Sequence, residues 1–184
     1  DTLNPSTKRR GNVNQSRDWR KVRAEVKDFV ENEVYPAESI LNERSEESNQ
    51  KLKELMDKAK ERNLWALGHP EDIGGQGMPF MEYVYVNEVV GRSSPAIVAL
   101  GTHSLQDSIM LREFASDRWR DAYLGPLVAG EIFPSFGMTE PDTASSDPTQ
   151  LQTAAVLEDG EWVINGRKWF TSGAARAAYT TVMV

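Results

Sequence analysis

The sequence predicts an α+β protein in which an all-helical N-terminal part is followed by an antiparallel β domain. Up to about residue 130, apolar residues recur at the three- to four-residue period of amphipathic helices. After about residue 152 the pattern changes, and Asp159-Gly160 and Asn165-Gly166 are typical of tight hairpin turns. A run of hydroxyls and carboxylates, 136–147, lies between the two regions. A block of helices followed by a block of strands indicates two domains or an α+β arrangement.

Five helices are predicted from their start signals and their apolar spacing. The residues at which they begin are Ser16, Ser48, Pro79, Ser94 and Ser116. We expect Pro36 to end the first helix or to start the next turn, and the fourth helix to run unbroken to Met110. The fifth is expected to break at Gly125-Pro126 and to end near Gly130. The glycine-rich stretch 64–77 lacks the GxGxxG order of a dinucleotide site and is predicted to be a structured loop.

The β region is predicted to be a meander with strands at 152–158, 161–164 and 167–171. The last residues, 180–184, form an apolar strand pattern with no turn or partner after it. Because natural proteins avoid exposed edge strands, we expect the chain to be a truncated piece of a larger protein. The predicted division is a flexible tail at 1–15, a helical domain at 16–132 and an incomplete β domain at 133–184.

Composition excludes several classes of function. The 184 residues carry a formal net charge of -7, and the one basic cluster, Lys8-Arg9-Arg10, lies in a polar tail, so we expect no nucleic-acid partner. The absence of cysteine excludes disulfides and thiolate chemistry, and His69 and His103, which lie far apart in sequence, could not alone make a metal site. No apolar run is long enough to span a bilayer. We expect a soluble intracellular protein, with cytoplasm, mitochondrial matrix and peroxisome not distinguished.

The pair Trp169 and Thr171 is the first candidate site. Two residues apart on a predicted strand, both side chains face the same way, so that an indole and a hydroxyl could meet a flat aromatic ligand such as a flavin. The alternative is an ordinary strand with a core tryptophan and a solvent-facing threonine.

The second candidate site lies at the junction of the two regions. Before Pro141, the backbone amides of Met138 and Thr139 and the Thr139 hydroxyl could meet a ligand carbonyl. Ser145 and Ser146 could bind a phosphate, or they could belong to a hydroxyl-rich turn.

The chain resembles the acyl-CoA dehydrogenase family from about residue 17 to its end. Family sequences carry Thr-Glu-Pro followed by Gly-Ser-Asp, and further on an Asn-Gly, a Lys-Trp and a Thr. The corresponding residues of this sequence are Thr139-Glu140-Pro141, Ser146-Asp147, Asn165-Gly166, Lys168-Trp169 and Thr171. One departure is that Ala144-Ser145-Ser146-Asp147 has a serine in place of the usual glycine and one extra residue, which leaves either serine as the candidate.

The resemblance implies an FAD-dependent enzyme that dehydrogenates an acyl-CoA thioester. The Met138 and Thr139 backbone and the Thr139 hydroxyl would contact the flavin pyrimidine edge, Trp169 would pack against the isoalloxazine, and Thr171 would hydrogen-bond N5. Ser145 or Ser146 would lie near the phosphates or the thioester, and residues 99–103 would line the acyl pocket.

In the family the catalytic base is a carboxylate of a C-terminal domain, so no residue of this chain is named as the base. The resemblance also implies an electron-transfer flavoprotein or another electron acceptor as partner, and a homodimer or homotetramer. Two alternatives stay open: a non-catalytic relative that binds acyl-CoA or flavin, and a flavin monooxygenase or nitroalkane-oxidase-like enzyme on the same fold.

Overall fold

The computed structural model describes residues 17–43 and 45–184, and its helical region comes first in the chain. The seven α-helices of the described part are α1 Trp19–Phe29, α2 Glu38–Leu41, α3 Glu46–Glu61, α4 Phe80–Val90, α5 Ser94–Ala99, α6 Leu105–Phe114 and α7 Asp117–Ala129. Four strands follow: β1 Pro134–Gly137, β2 Ala154–Glu158, β3 Glu161–Asn165 and β4 Tyr179–Val182. The predicted α+β fold is confirmed. None of the described helices combines the length and apolarity needed to cross a membrane.

The first two helix starts differ from the predicted ones by a few residues. Ser16, like the predicted tail at 1–15, lies outside the described residues, and the Asp18 side chain caps α1 by accepting from the Arg20 N–H at 3.0 Å. At α3 the cap is Ser45, whose hydroxyl accepts from the Ser48 N–H at 3.1 Å. Ser48 therefore lies in the first turn, where its own hydroxyl donates to the Leu41 carbonyl.

Pro36 starts a new turn, the second of the two predicted possibilities, and the helical path continues through it. A π-helical turn, Val30–Val34, and a 3-10 turn, Tyr35–Ala37, connect α1 to α2 without a break. Proline is tolerated there because it occupies the first turn of a new helical segment, where its missing N–H has no helical partner to lose. Burial of Val30 and Val34 holds the π-helical turn against the core.

The predicted fourth helix is in fact two helices, α5 and α6, separated at Gly101. This glycine has φ 74°, a left-handed conformation, and a 3-10 turn, Thr102–Ser104, follows it. A Cβ atom on Gly101 would lie 2.8 Å from the Trp65 ring. Packing against Trp65 therefore requires glycine, and its left-handed backbone breaks the helix despite the unbroken apolar pattern.

The fifth helix, α7, passes through Gly125-Pro126 instead of breaking there, and it ends at Gly130 as predicted. Proline deprives the Ala122 carbonyl of its helical donor, but Ala122 is exposed, so that water can satisfy the carbonyl. Burial of Leu127 and Val128 keeps the last turns packed in place.

One apolar core joins most of the helices. Its largest fully buried side chains include Phe29, Leu55, Leu64 and Leu100. A second, smaller cluster around Leu111, Leu124, Leu127 and Val128 also receives Tyr179 from β4. The strand region is thus attached to the helices through packing around α6 and α7.

The strands do not form the predicted meander. β2 and β3 make an antiparallel hairpin closed by Asp159-Gly160, as predicted, with both turn residues at positive φ. Asn165-Gly166 closes no hairpin, and residues 167–171, predicted as the next strand, form no strand. The last strand does have a partner: β4 pairs in parallel with β1, Pro134 lying opposite Tyr179 and Gly137 opposite Val182.

Candidate functional site

The segment Met138–Thr139 leaves β1 with its carbonyls bonded and its amides open. The Met138 carbonyl accepts from Lys168 Nζ at 3.0 Å, and the Thr139 carbonyl accepts from the Trp169 N–H at 3.0 Å. Neither of the two N–H groups, nor the Thr139 hydroxyl, makes a hydrogen bond within the part of the chain that the structure describes. We call these three groups the donor edge. Because Thr139 is exposed, the donor edge can be reached by a ligand that carries acceptor atoms.

Glu140 lies behind the donor edge as the centre of a buried network. Its side chain is 4% exposed and accepts from Lys168 Nζ at 2.8 Å, the Thr153 hydroxyl at 2.5 Å, the Thr153 N–H at 2.9 Å and the Gln152 N–H at 2.7 Å. The Lys168 ammonium, followed by the Thr153 hydroxyl, lowers the pKa of this carboxyl to about 2. Glu140 is therefore ionised at neutral pH and is poorly matched to proton abstraction there. From the sequence, Lys168 was noted only as part of the Lys-Trp motif, and Thr153 was missed.

The two candidate serines have different environments. Ser145 is buried; its hydroxyl accepts from the Glu140 N–H at 2.7 Å and lies 3.1 Å from the Thr143 hydroxyl. Ser146 is exposed, and its side chain has no hydrogen bond to another described residue. Ser145 thus stabilises the loop after Glu140, whereas Ser146 is the serine that a ligand can reach. Asp147, next along, caps the short 3-10 turn Pro148–Gln150 through Thr149.

Trp169 and Thr171 do not lie on a strand, so the reasoning that gave them a common face is wrong. Phe170 between them has φ 51°, and this left-handed residue interrupts the alternation on which the argument rested. Trp169 is 46% exposed and Phe170 is 80% exposed, with their ring centroids 4.8 Å apart. What the structure does bring together is Trp169 and Thr139, through the backbone bond described above. The Thr171 hydroxyl, like that of Thr139, has no partner among the described residues.

A second polar cluster lies where the strands meet α6. The centroids of the His103 and Phe133 rings lie 5.2 Å apart. The Arg176 guanidinium carbon lies over the Phe133 ring, 4.7 Å from its centroid. Within the described chain, both ring nitrogens of His103, Asp107 Oδ1 and the Tyr179 hydroxyl are buried without hydrogen-bond partners.

Burial changes the protonation of this cluster. Burial, and then the charge of Arg176, lowers the pKa of His103 to about 4. Burial raises the pKa of the Asp107 carboxyl, and burial followed by the Asp107 charge raises the pKa of Tyr179. Asp107 and Tyr179 were missed from the sequence. The available signal for Asp107 was a carboxylate between Leu105 and Ile109 in a helix whose apolar residues predicted burial.

A surface cavity of about 650 Å³ lies elsewhere on the helical part. The residues that line it are Arg17, Lys60, Asn63, Trp65, Gly74 and Gln76. None of the sequence-predicted site residues borders it, and Lys60 is already engaged with the Ala129 carbonyl at 2.8 Å.

The fold is shared with solved flavoproteins. An acyl-CoA dehydrogenase from Bacillus anthracis, solved in complex with FAD, superposes with a TM-score of 0.66 at 26% identity; the match covers 89% of this chain and 28% of that one. The helical part and the strands after it therefore give the chain the fold of acyl-CoA dehydrogenases.

Residues 16–131 match the model of the acyl-CoA dehydrogenase N-terminal domain, and residues 135–184 match that of the middle domain. The chain belongs to the acyl-CoA dehydrogenase family.

Two named relatives show how much of such proteins the chain spans. It is 33% identical over 166 residues to mouse acyl-CoA dehydrogenase family member 10, covering 84% of this chain and 16% of the relative. It is 32% identical over 163 residues to the protein named probable acyl-CoA dehydrogenase FadE2 of Mycobacterium tuberculosis, covering 83% and 39%. The chain therefore spans less than half the length of these relatives.

Proposed function

We propose that this chain forms the N-terminal and middle parts of an FAD-dependent enzyme that dehydrogenates the α,β bond of an acyl-CoA thioester. The observation that carries the proposal is the donor edge at Met138–Thr139, which a backbone bond joins to Trp169. Open amide and hydroxyl donors beside a half-exposed indole suit a planar ligand with acceptor atoms on one edge. The domain boundary that we propose lies between residues 132 and 133.

The residues present fit FAD. The donor edge would bind the acceptor atoms of the pyrimidine ring, Trp169 would cover the isoalloxazine, and the Thr171 hydroxyl would donate to N5. When bound, FAD supplies the acceptor for the hydride equivalent. The chain's own contribution is orientation: it supplies donors whose positions are fixed by strand pairing and by the buried Glu140 network.

The acyl-CoA contacts follow from exposure. Ser146, rather than the buried Ser145, would bind near the CoA thioester or a phosphate, because only its hydroxyl is open to a ligand. Residues 99–103 would line the acyl pocket, with His103 held neutral by burial. We assign the base to a part of the protein outside residues 1–184, since Glu140 is committed to its ion pair.

The partners that we propose are an electron-transfer flavoprotein or a comparable acceptor, and further copies of the protein in a homodimer or homotetramer. Neither assignment is needed for binding of FAD by the donor edge.

The experiment purifies the longest natural form of the protein that contains residues 1–184, together with residues 1–184 alone. We expect the longer form to copurify with FAD and to reduce an artificial electron acceptor with acyl-CoA thioesters. Residues 1–184 alone should hold FAD weakly and turn over no acyl-CoA.

Rapid oxidation of the reduced flavin by O₂ with a nitroalkane or another non-thioester substrate would favour the monooxygenase or oxidase alternative. FAD binding without turnover of any acyl-CoA would favour the non-catalytic alternative.

A further inference from the structure

Two ion pairs lie side by side behind the donor edge, and only one of them is buried. Lys168 and Glu140 are 2.8 Å apart with side chains 12% and 4% exposed, whereas the neighbouring pair Arg167 and Asp142 is 3.0 Å apart with side chains 71% and 70% exposed. Exposed ion pairs contribute little, but separating a buried pair leaves a charge without a partner in a poor solvent. The position of the Lys168 ammonium is therefore fixed by Glu140.

The same ammonium also determines what the neighbouring backbone offers to a ligand. Lys168 Nζ donates a hydrogen bond to the Met138 carbonyl. The backbone N–H of the next residue, Trp169, donates to the Thr139 carbonyl. Both backbone carbonyls of the segment are used inside the protein, and its backbone N–H groups remain open. Because the peptide between Met138 and Thr139 is trans, the Lys168 bond to the Met138 carbonyl on one side holds the Thr139 N–H towards the other side.

We propose that Glu140 and Lys168 are a positioning pair that holds the Met138–Thr139 peptide with its N–H groups open to a ligand, and that these donors select the acceptor-rich edge of FAD. The inference rests on the proposed function, because it takes FAD as the ligand of the donor edge. Neither residue is catalytic: both act through the backbone that they hold.

Loss of the pair has two consequences for bound FAD. Without the Lys168 bond the plane of the Met138–Thr139 peptide is no longer held, so the Thr139 N–H is less well aimed at the ligand acceptors and FAD affinity falls. Reduction places additional electron density on the acceptor edge of the flavin, so weaker donors disfavour the reduced form more than the oxidised form. The midpoint potential of the bound flavin therefore falls as well, which a role in stability alone would not cause.

The test measures FAD affinity, the midpoint potential and the thermal midpoint in the longest natural form of the protein. The variants are Lys168→Met, Glu140→Gln, the double variant and Lys168→Arg, with Arg167→Ala as the matched control from the exposed ion pair. We expect Lys168→Met to weaken FAD binding about tenfold or more and to lower the potential. If affinity for the reduced form falls tenfold more than affinity for the oxidised form, the potential drops by about 30 mV for a two-electron couple.

Glu140→Gln should change affinity and potential in the same direction, and the double variant should be no worse than Lys168→Met, because the two residues act as one unit. Lys168→Arg should recover part of the loss, and Arg167→Ala should behave as wild type.

Three results would overturn the inference. Absence of FAD from the wild-type protein would remove the proposed function and this inference with it. A wild type that binds FAD, with Lys168→Met unchanged in affinity and potential but lower in thermal midpoint, would leave the proposed function standing and make the pair merely structural. Should Lys168→Met not fold, Glu140→Gln decides: an unchanged potential in that variant overturns the inference.

Discussion

The Thr153 hydroxyl lies directly against Gly166: a Cβ atom built on this glycine would be 2.2 Å from Thr153 Oγ1. That hydroxyl is the same one that donates to Glu140 at 2.5 Å. The chain after β3 can approach the buried network so closely only because residue 166 has no side chain. Asn165-Gly166 has the sequence of a hairpin turn, but the role of its glycine is to allow close packing against Thr153.

Gly166→Ala is expected to destabilise the protein, because the new methyl group must displace Thr153 from Glu140. Overpacking of this kind costs about 1–3 kcal/mol. The measurement is the free energy of unfolding by urea, with Gly125→Ala as control.

A Cβ on Gly125 would meet no atom within 4 Å, and the residue lies inside α7, so alanine there should stabilise by about 0.5–1 kcal/mol. Equal destabilisation by the two substitutions would contradict the assigned role of Thr153.

Acid should weaken the wild-type protein through Glu140. Its pKa is lowered to about 2 in the folded state from an ordinary 4.5, so the folded state binds fewer protons than the unfolded state between these values. The stabilisation is present above about pH 4.5 and is lost as pH falls towards 2.

Glu140→Gln should show a shallower fall of thermal midpoint across that range than wild type. Parallel curves for the two proteins would mean that the carboxylate network contributes nothing to acid sensitivity.

The two histidines should add a second pH dependence at higher pH. Burial lowers the pKa of His69 to about 4, and burial and then Arg176 lower that of His103 to about 4, whereas an unfolded histidine has an ordinary value of 6.5. Their stabilisation is complete above about pH 6.5 and is lost as pH falls towards 4. Each contributes a slope of up to about 1.4 kcal/mol per pH unit in that window.

His103→Phe should reduce the slope of unfolding free energy against pH between pH 6.5 and 4.5 by an amount that corresponds to about one bound proton. His69, whose Nε2 lies 3.0 Å from the Ser104 hydroxyl, supplies the comparison, because His69→Phe would also lose that contact. An unchanged slope in His103→Phe would show that this ring is already charged in the folded protein.

Thr171→Ala should slow flavin reduction by acyl-CoA more than it weakens FAD binding. A directed hydrogen bond to an atom on which charge develops contributes roughly 2–4 kcal/mol. Stopped-flow reduction measures the rate, and Thr171→Ser should retain most of it because the hydroxyl is kept. With 5-deaza-FAD, which has no nitrogen at that position, wild type and Thr171→Ala should bind equally well; a rate in Thr171→Ala equal to wild type would remove Thr171 from this role.

The helical half of the fold could be read from the sequence more fully than the strand half. Helix periods and caps are local, so α1, α3, α4 and α7 lie close to their predicted places. The break at Gly101 depends on Trp65, far away in the chain, and the role of Gly166 depends on Thr153. Neither contact leaves a local pattern, which is why an unbroken helix and a second hairpin were predicted there.

The candidate site divides in the same way. The resemblance to the family predicted flavin contacts at 138–139 and 169–171, and the backbone bond between Thr139 and Trp169 brings the two stretches together. The strand geometry assumed for Trp169 and Thr171 was wrong, because a left-handed Phe170 has no signature in a run of large side chains. Ser145 and Ser146 can be told apart as ligand contacts only by their burial. Two identical residues next to each other in the sequence give no indication of which one is buried.

The parallel pairing of β1 with β4 has a consequence for how the protein folds. All residues between Gly137 and Tyr179, including the β2–β3 hairpin and the stretches 138–139 and 169–171, are contained in the loop that this pairing closes. Closing so long a loop carries an entropic cost that must be met before the strand contacts stabilise it, so we expect it to follow the formation of the helices. On a ribosome the helical part can collapse while residues 138–182 are still being synthesised, and binding of the proposed FAD would have to await the emergence of β4.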